Sequence, residues 1–485
     1  MIVGNPPFLG DKKIVGILGL DYVTKLRTSY RGRVGGNADL VCFWFDKAAT
    51  MIASGTLTRA GLVAPNSIRR GANRNVLDTV RRVGAIFEAW SDEAWVLDGA
   101  ALRVSIICFG SNVLNGFRLN GESASIIYSD LTSGTVDITA AVRLKENAKI
   151  SFLGIQKSGP LDVQGTIARN WMSLPVNPNG ISNLEILRPF YNGDDITTRP
   201  RDVWLIDIPP RLSESDASLF EAPFEHLSNA RYSDDPDDRR TLKEARAQAR
   251  DQHARDRWWE PYWPRPEMRT KIEQMSRYIV SPETPTHTVF AWLPNGVLPD
   301  KNLIVIARDD DVTFGVLHSK FHLIWVRAIG SPYGNHPTAR RYNSSRVFET
   351  FPFPIGLTPN IAAEAYRSDP RAICVAAAAK KLDDLRSRWL NPADRVRRAP
   401  EVAPHLPDRL LPVNEEAASI LRQRTLTNLY NERPTWLANV HRELDEAVAA
   451  AYGWSVDLVD EEVLSRLLAL NAERARGPAN DAGSR

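Results

Sequence analysis

An α/β domain over residues 1–145, an α+β region over 146–355 and a helical region over 356–485 are what the pattern of this 485-residue chain predicts. Three observations carry the expectation. Short apolar runs alternate with helical patterns in the first part, which indicates a largely parallel sheet with crossover helices. In the middle part, strand-like pieces scatter among Pro, Asn, Asp and Gly loops. In the last part, apolar residues recur at three- and four-residue spacing, the period of helices.

The first strand is Ile2-Val3, which runs through Gly4 into the turn Asn5-Pro6-Pro7-Phe8. A polar loop through Arg27, Arg31, Gly32, Arg33, Gly35 and Gly36 follows, suited to a place beside the site and to contact with phosphate. Asp39 reads as the N-cap of a helix over Leu40 to Ile52, with Gly55 as its stop. That helix is apolar almost all round, as a deeply packed one is. Gly61 to Pro65 reads as a buried strand ending in Asn66-Ser67 and the basic pair Arg69-Arg70. A helix through Val76, Leu77 and Val80 follows, then strands at Ala85 to Ala89 and Arg103 to Phe109. In parallel sheets ligands lie beyond the carboxyl ends of the strands, so Asn5, Asn66 and Arg69 are expected to line one cleft.

The Asn5–Phe8 turn is built to present acceptors. Proline carries no N–H and fixes φ, and the residue before a proline is held extended, so the loop is rigid. The Asn5 side-chain oxygen and the Pro6 carbonyl then stand beside the face of Phe8. Such a cluster suits a planar ring bearing an exocyclic amino group, whose two N–H donors meet the two acceptors. An Asn-Pro turn also ends strands with no chemistry attached.

Asn-Pro-Pro-Phe resembles the catalytic motif of amino-group (N6-adenine) DNA methyltransferases of the type II (IIG/IIL-like) restriction–modification family. The order of the Asp39-Leu40 helix, Gly61 to Ser67 and Val96 to Gly110 is similar to the family's later motifs. The resemblance implies an incomplete methyltransferase-type (Rossmann-like) sheet, with residues 1–145 as the C-terminal half of the catalytic domain. It implies that Asn5 and Pro6 orient the amino group of a flipped adenine, that Pro7 keeps the loop rigid and that Phe8 stacks on the base. Extrusion is how enzymes reach an atom inside a duplex. It implies S-adenosyl-L-methionine as donor. In the family the glycine-rich donor turn lies upstream of this motif, so the cofactor site is expected to be incomplete here. A separate N-terminal methyltransferase polypeptide is then a possible partner, alongside double-stranded DNA. Two other readings stand beside a methyltransferase inactive alone: a non-catalytic DNA-binding specificity protein, and one part of a split enzyme.

In the middle region, Ile150 to Leu153, Val203 to Ile206 and Leu303 to Ile306 read as strands. Asp234 to Arg257 reads as a solvated helix. It leads into the cluster Trp258-Trp259-Glu260-Pro261-Tyr262-Trp263-Pro264-Arg265-Pro266, either a stacking surface for bases or a plug of packed tryptophans. Lys320 and His322, and then Arg340, Arg341, Tyr342 and Asn343, combine short polar side chains with arginines, the types that read base edges and hold phosphates. With Arg69 and Arg70 they form the candidate DNA-binding set. Arg-Tyr-Asn-Ser followed by Phe351-Pro352-Phe353-Pro354 resembles the target-recognition domain of the same family. Downstream, Leu382, Leu385 and Trp389 form one helical stripe, a Pro-rich linker is expected from Pro392 to Pro412, and Trp436 to Tyr452 and Val463 to Leu468 form two more helices. The tail after Arg476 is expected to be disordered.

Composition narrows the classes. With 43% hydrophobic and 25% charged residues the chain reads as an ordinary soluble protein. No apolar run reaches the roughly 20 residues that span a bilayer. A cytoplasmic place is expected, with Cys42, Cys108 and Cys374 as reduced core residues. A net charge of +3 makes any DNA-binding face a local one. Neither a metal cluster nor a nuclease's acidic–x–Lys pattern stands out.

Overall fold

A computed structural model describes residues 1–97, 100–111, 116–133, 137–210, 212–332, 339–403 and 406–476. Pro337, Thr338 and the tail after Arg476 lie outside the described residues. The chain forms two compact units, Met1–Ala140 and Ala141–Arg485.

The first unit is built on a six-stranded sheet of β1 (Ile2–Gly4), β2 (Arg59–Pro65), β3 (Ala85–Leu97), β4 (Ala100–Gly110), β5 (Phe117–Leu119) and β6 (Glu122–Ala124), in the order β1-β2-β4-β3-β5-β6. It is mixed, and the expectation of a largely parallel sheet is corrected. Only β1/β2 and β3/β5 run parallel; β2/β4, β3/β4 and β5/β6 are antiparallel. The reason lies in Trp90 to Leu97, which extend β3 well past Ala89 and bring it to the start of β4. Two long strands joined by so short a connection can only be antiparallel.

Alternation places one face of the sheet against helices. In β2, Ala60, Leu62 and Ala64 are buried and pair across to Phe109, Ile107 and Ser105 of β4. On that face lie α3 (Cys42–Ala53) and α4 (Gly71–Val83). Outside α3 sit α1 (Asp11–Leu18) and α2 (Leu20–Ser29). The all-round apolar character of α3 is thereby explained. Cys42, Phe45, Ala49 and Ile52 face the sheet, with Phe45 stacked 5.7 Å from Phe109, while Phe43 packs outward on Ile14 and Val23. Arg27, expected in a loop, lies in the last turn of α2.

The second unit holds two four-stranded sheets, built from β7 (Ser151–Leu153), β8 (Asp162–Gln164), β9 (Leu187–Tyr191), β10 (Val203–Ile206), β11 (Arg277–Pro282), β12 (Ala291–Pro294), β13 (Leu298–Pro299) and β14 (Leu303–Ile306). Their orders are β13-β9-β10-β8 and β12-β11-β14-β7. The four-residue runs at Val203–Ile206 and Leu303–Ile306 are buried throughout, as central strands covered on both faces are.

Residues 146–355 and 356–485 belong to this one compact unit. The helix Pro370–Leu390 packs on both Asp311–His318 and Thr435–Tyr452. Gly315 permits the approach: a Cβ there would sit 2.9 Å from Val375 Cγ1, 3.0 Å from Ala379 Cβ and 3.2 Å from Leu444 Cδ1. Buried asparagines tie the remaining seams. Asn147 Nδ2 donates to the carbonyls of Phe348 (3.0 Å) and Phe351 (2.7 Å), and Asn471 Nδ2 to those of Val142 (2.8 Å) and Thr350 (2.7 Å).

Three further expectations change. Asp234 to Arg257 is not one solvated helix but carries the short helices Leu242–Ala247 and Gln252–Asp256. Arg246 is only 2% exposed and donates from Nη2 to the Lys157 and Ser158 carbonyls. The Pro392–Pro412 stretch forms an antiparallel pair, Val396–Ala399 with Arg409–Pro412. Of the cysteines, Cys42 is buried, but Cys374 is exposed on its helix. Among the described residues no helix is long and apolar enough to cross a membrane.

Candidate functional site

The parallel pairing of β1 with β2, Gly4 opposite Leu62, sends Asn5 and Asn66 off the same end of the sheet. Pro6 is buried beneath the turn, Asn5 is exposed and Phe8 half-buried. Among the described residues neither the Asn5 side chain nor the Pro6 carbonyl has a hydrogen-bond partner, so both acceptors remain available. The turn is pinned just beyond its end, where Leu9 O accepts from Leu40 N at 2.9 Å.

Asp39 holds the surrounding loops together. It is not the N-cap of α3, whose flanking residue is Val41 with no side-chain cap. Its carboxylate instead accepts from the backbone N–H of Asp11 (3.0 Å), the first residue of α1, and from Ser67 Oγ (3.1 Å) and Asn73 Nδ2 (2.7 Å). Asn73 Oδ1 accepts in return from the Asp39 N–H at 2.8 Å. A carboxylate at a helix N-terminus satisfies an orphan donor and meets the positive end of the helix dipole. The loop after β1, the entry to α3, the turn after β2 and the start of α4 are thus fixed by one side chain. Beside it, burial and the Asp39 charge push the Cys42 thiol up to about 12, which leaves it protonated and unreactive.

These groups border an open cavity of about 430 Å³ lined by Asn37, Asp39, Asn66, Ser67, Arg70 and Asn73, with Gly71 and Ala72. Sequence reasoning passed over Asn37, Ser67 and Asn73 as site residues; the place of Ser67 and Asn73 just after β2 was the available signal. Asn66 donates to Asp92, whose carboxyl is held below its ordinary range chiefly by the bond from Arg103.

The candidate DNA-binding residues do not share one surface. Arg70 lines the cavity and has no side-chain partner among the described residues. Arg69 turns away to brace β3, donating to Ser91 O at 3.1 Å, and leaves the cleft it was expected to line. Lys320 donates to the carbonyls of Val456 and Leu458 and receives Asp445 Oδ1 on its backbone N–H at 2.6 Å, a helix-joining role. His322 and Tyr342 are both 0% exposed, so their placement as base-contacting groups is corrected. They bond to each other, Nε2 to hydroxyl at 3.0 Å, and burial drives the His322 imidazole down to about 3. Asn343 caps the following turn, accepting from the N–H groups of Ser345 and Arg346, both at 3.1 Å. Arg340 donates from Nε to Arg327 O at 3.1 Å. Arg341 is exposed, with Nε 3.6 Å from Glu283 Oε1. Trp258 and Trp259 are buried against Phe224, so the plug reading of the tryptophan cluster holds for them, whereas Trp263 is 42% exposed. Phe351 and Phe353 are core residues around His322 and Phe348.

The residues present do not make a complete place for S-adenosyl-L-methionine. Among the described residues no strand of the first unit feeds a glycine-rich turn that opens a helix, the cradle a nucleoside-like donor requires. Asp39 is spent on three internal hydrogen bonds. No group of three or more His, Cys, Asp or Glu is arranged for a metal among the described residues.

Residues 227–355 match the family described as the MmeI target recognition domain. Among solved structures the chain is similar to the Type IIL restriction-modification enzyme MmeI in complex with DNA, with a TM-score of 0.68 and 19% identity over 98% of this chain and 57% of that one. The chain therefore spans little more than half of the length of that relative. The type IIG restriction endonuclease BpuSI aligns over 98% of this chain and 54% of its own at 9% identity, with a TM-score of only 0.26. No curated protein matches.

Proposed function

We propose that this chain recognises a specific duplex DNA sequence through its second unit. It also supplies the base-holding turn of an adenine-methylating centre. The observation that carries the reading is the match of residues 227–355 to a target recognition domain. Supporting it, the fold is shared along nearly the whole chain with an enzyme solved on DNA. Among the described residues the Asn5 and Pro6 acceptors stand unpaired, at a sheet end where ligands collect.

In this reading the two N–H groups of an extruded adenine donate to Asn5 Oδ1 and Pro6 O while Phe8 stacks on the ring. The acceptors are fixed before the base arrives, so holding it costs little reorganisation. Withdrawing proton density from the amino nitrogen raises its nucleophilicity. S-adenosyl-L-methionine would supply the methyl group, and residues 1–485 do not complete its site. A donor half lying outside residues 1–485 completes the centre. Without it the chain acts as a specificity protein.

The test is permanganate oxidation of each thymine in a duplex the chain binds, because extruding an adenine unstacks the thymine it leaves behind. One thymine is expected to become reactive on binding, and the gain is lost in Asn5→Ala and Phe8→Ala while binding persists. Reactivity that survives both substitutions, or methylation of DNA that survives Asn5→Ala, would remove the turn from the assignment.

A further inference from the structure

We propose that a second cleft of the first unit, between α2, the turn Tyr30–Gly36 and α4, is a phosphate site that holds the backbone of a DNA strand. It adjoins the Asn37–Asn73 cavity across Gly35 but is lined by different residues. The inference rests on the DNA reading above only for the source of the phosphate.

The cleft has a volume of about 760 Å³, and Arg27, Arg31, Arg33 and Arg82 line it against a single carboxylate, Asp78. Three of the arginines are anchored through part of their N–H set. Arg27 Nη2 bonds Asp11 Oδ1 at 2.5 Å. Arg33 lies over the Tyr30 ring at 4.6 Å, with Nη1 3.1 Å from the buried Asp46 carboxylate. Arg82 bonds Thr79 Oγ1 through Nη2 at 2.8 Å. Arg33 also donates from Nη1 to Thr50 Oγ1 (3.4 Å) and from Nη2 to Ser29 O (3.3 Å), and Arg82 from Nε to Asp78 O (3.4 Å). Arg31 is exposed and has no side-chain partner among the described residues.

The turn is shaped to keep them there. Gly32 has φ +80°, a left-handed conformation that lets the chain reverse between Arg31 and Arg33. Thr28 and Thr79 also line the wall, but their hydroxyls donate to Thr24 O (2.8 Å) and Asn75 O (3.2 Å), which leaves the grip to the arginines. Guanidinium forks are the chemistry that grips phosphate oxygens. A cleft with a net positive lining on a chain whose formal charge is only +3 is the kind of local field that backbone binding needs. Arginines meeting phosphates carry no base information, so this site positions a strand and does not read it.

The experiment measures duplex affinity of the full chain between 50 and 200 mM salt, for wild type and for Arg31→Ala/Arg82→Ala. Neither substitution removes a core contact, and equal thermal midpoints confirm the fold. Each neutralised phosphate contact contributes about 0.9 to the slope of log K against log salt. The double variant is expected to bind with a slope shallower by about 2, the affinity loss being equal on every duplex sequence. An unchanged slope in a variant of unchanged midpoint overturns the site while leaving the recognition reading intact. A wild-type chain that binds no duplex at 50 mM salt overturns both. In a parallel arm, orthophosphate alone is added. If it raises the wild-type midpoint but not the variant's, with the DNA slope unmoved, the cleft takes free phosphate and the DNA assignment is wrong.

Discussion

At the scale of single residues, the first unit depends on one carboxylate. Asp39 accepts from Asp11 N, Ser67 Oγ and Asn73 Nδ2, and Asn73 is itself buried. Removing the acceptor strands buried donors, each costing about 1–3 kcal/mol. Asp39→Ala is expected to destabilise the first unit by roughly 2–4 kcal/mol on that basis, read as a lower urea midpoint with an unchanged slope. A change within about 0.5 kcal/mol, the range of ordinary surface substitutions, would show that the network is dispensable. Asp39 also shows the limit of local sequence rules. Its position before an apolar run marks it as a cap, and it does cap a helix, but that helix is α1, 28 residues away in the chain. No periodicity reports such a partner.

At the scale of elements, what was legible followed from burial patterns, and what was not followed from pairing. The β2 alternation, the α3 core helix and the buried runs at 203–206 and 303–306 can be read directly from apolar spacing. The antiparallel return of β4 could not, because Trp90 to Leu97 mix polar and apolar residues and hide the hairpin. His322 and Tyr342 were placed on a DNA surface because polar aromatics beside arginines look functional. Their mutual bond lets both be buried instead, a pairing set by helix and turn packing. Gly315 is similar, an unremarked glycine in a helix that proves to sit where three helices meet. Gly315→Val is expected to cost about 1–3 kcal/mol by overpacking, measured as a lower thermal midpoint of the second unit. An unchanged midpoint would contradict the tight crossing.

At the scale of the whole molecule, the second unit carries a pH dependence. His318 Nε2 accepts from Arg386 Nη1 (2.8 Å) and Phe290 N (3.3 Å), and burial and the Arg386 charge hold it well below its ordinary range. Burial likewise takes His322 to about 3 and His441 to about 4. All three are neutral when folded and take up protons near pH 6.5 when unfolded. The unfolded state therefore binds more protons below that value, and stability rises with pH there. Full stability is expected above about pH 6.5, with progressive loss as pH falls through 6 and 5 toward 4. His322→Leu is expected to flatten the slope of midpoint against pH while lowering the midpoint itself, since the Tyr342 hydroxyl loses its partner. A midpoint constant from pH 7 to 4.5 would contradict this account of the core.

The second unit is also where the proposed recognition resides, since it contains the segment that matches a target recognition domain. The most direct measurement is the ratio of affinities for a duplex selected from a random pool and for its scrambled counterpart, both at physiological salt. A site-specific protein is expected to prefer the selected duplex by about a thousandfold or more. Equal affinity for the two, with binding that simply fades as salt rises, would reduce the chain to a non-specific binder and contradict the central claim.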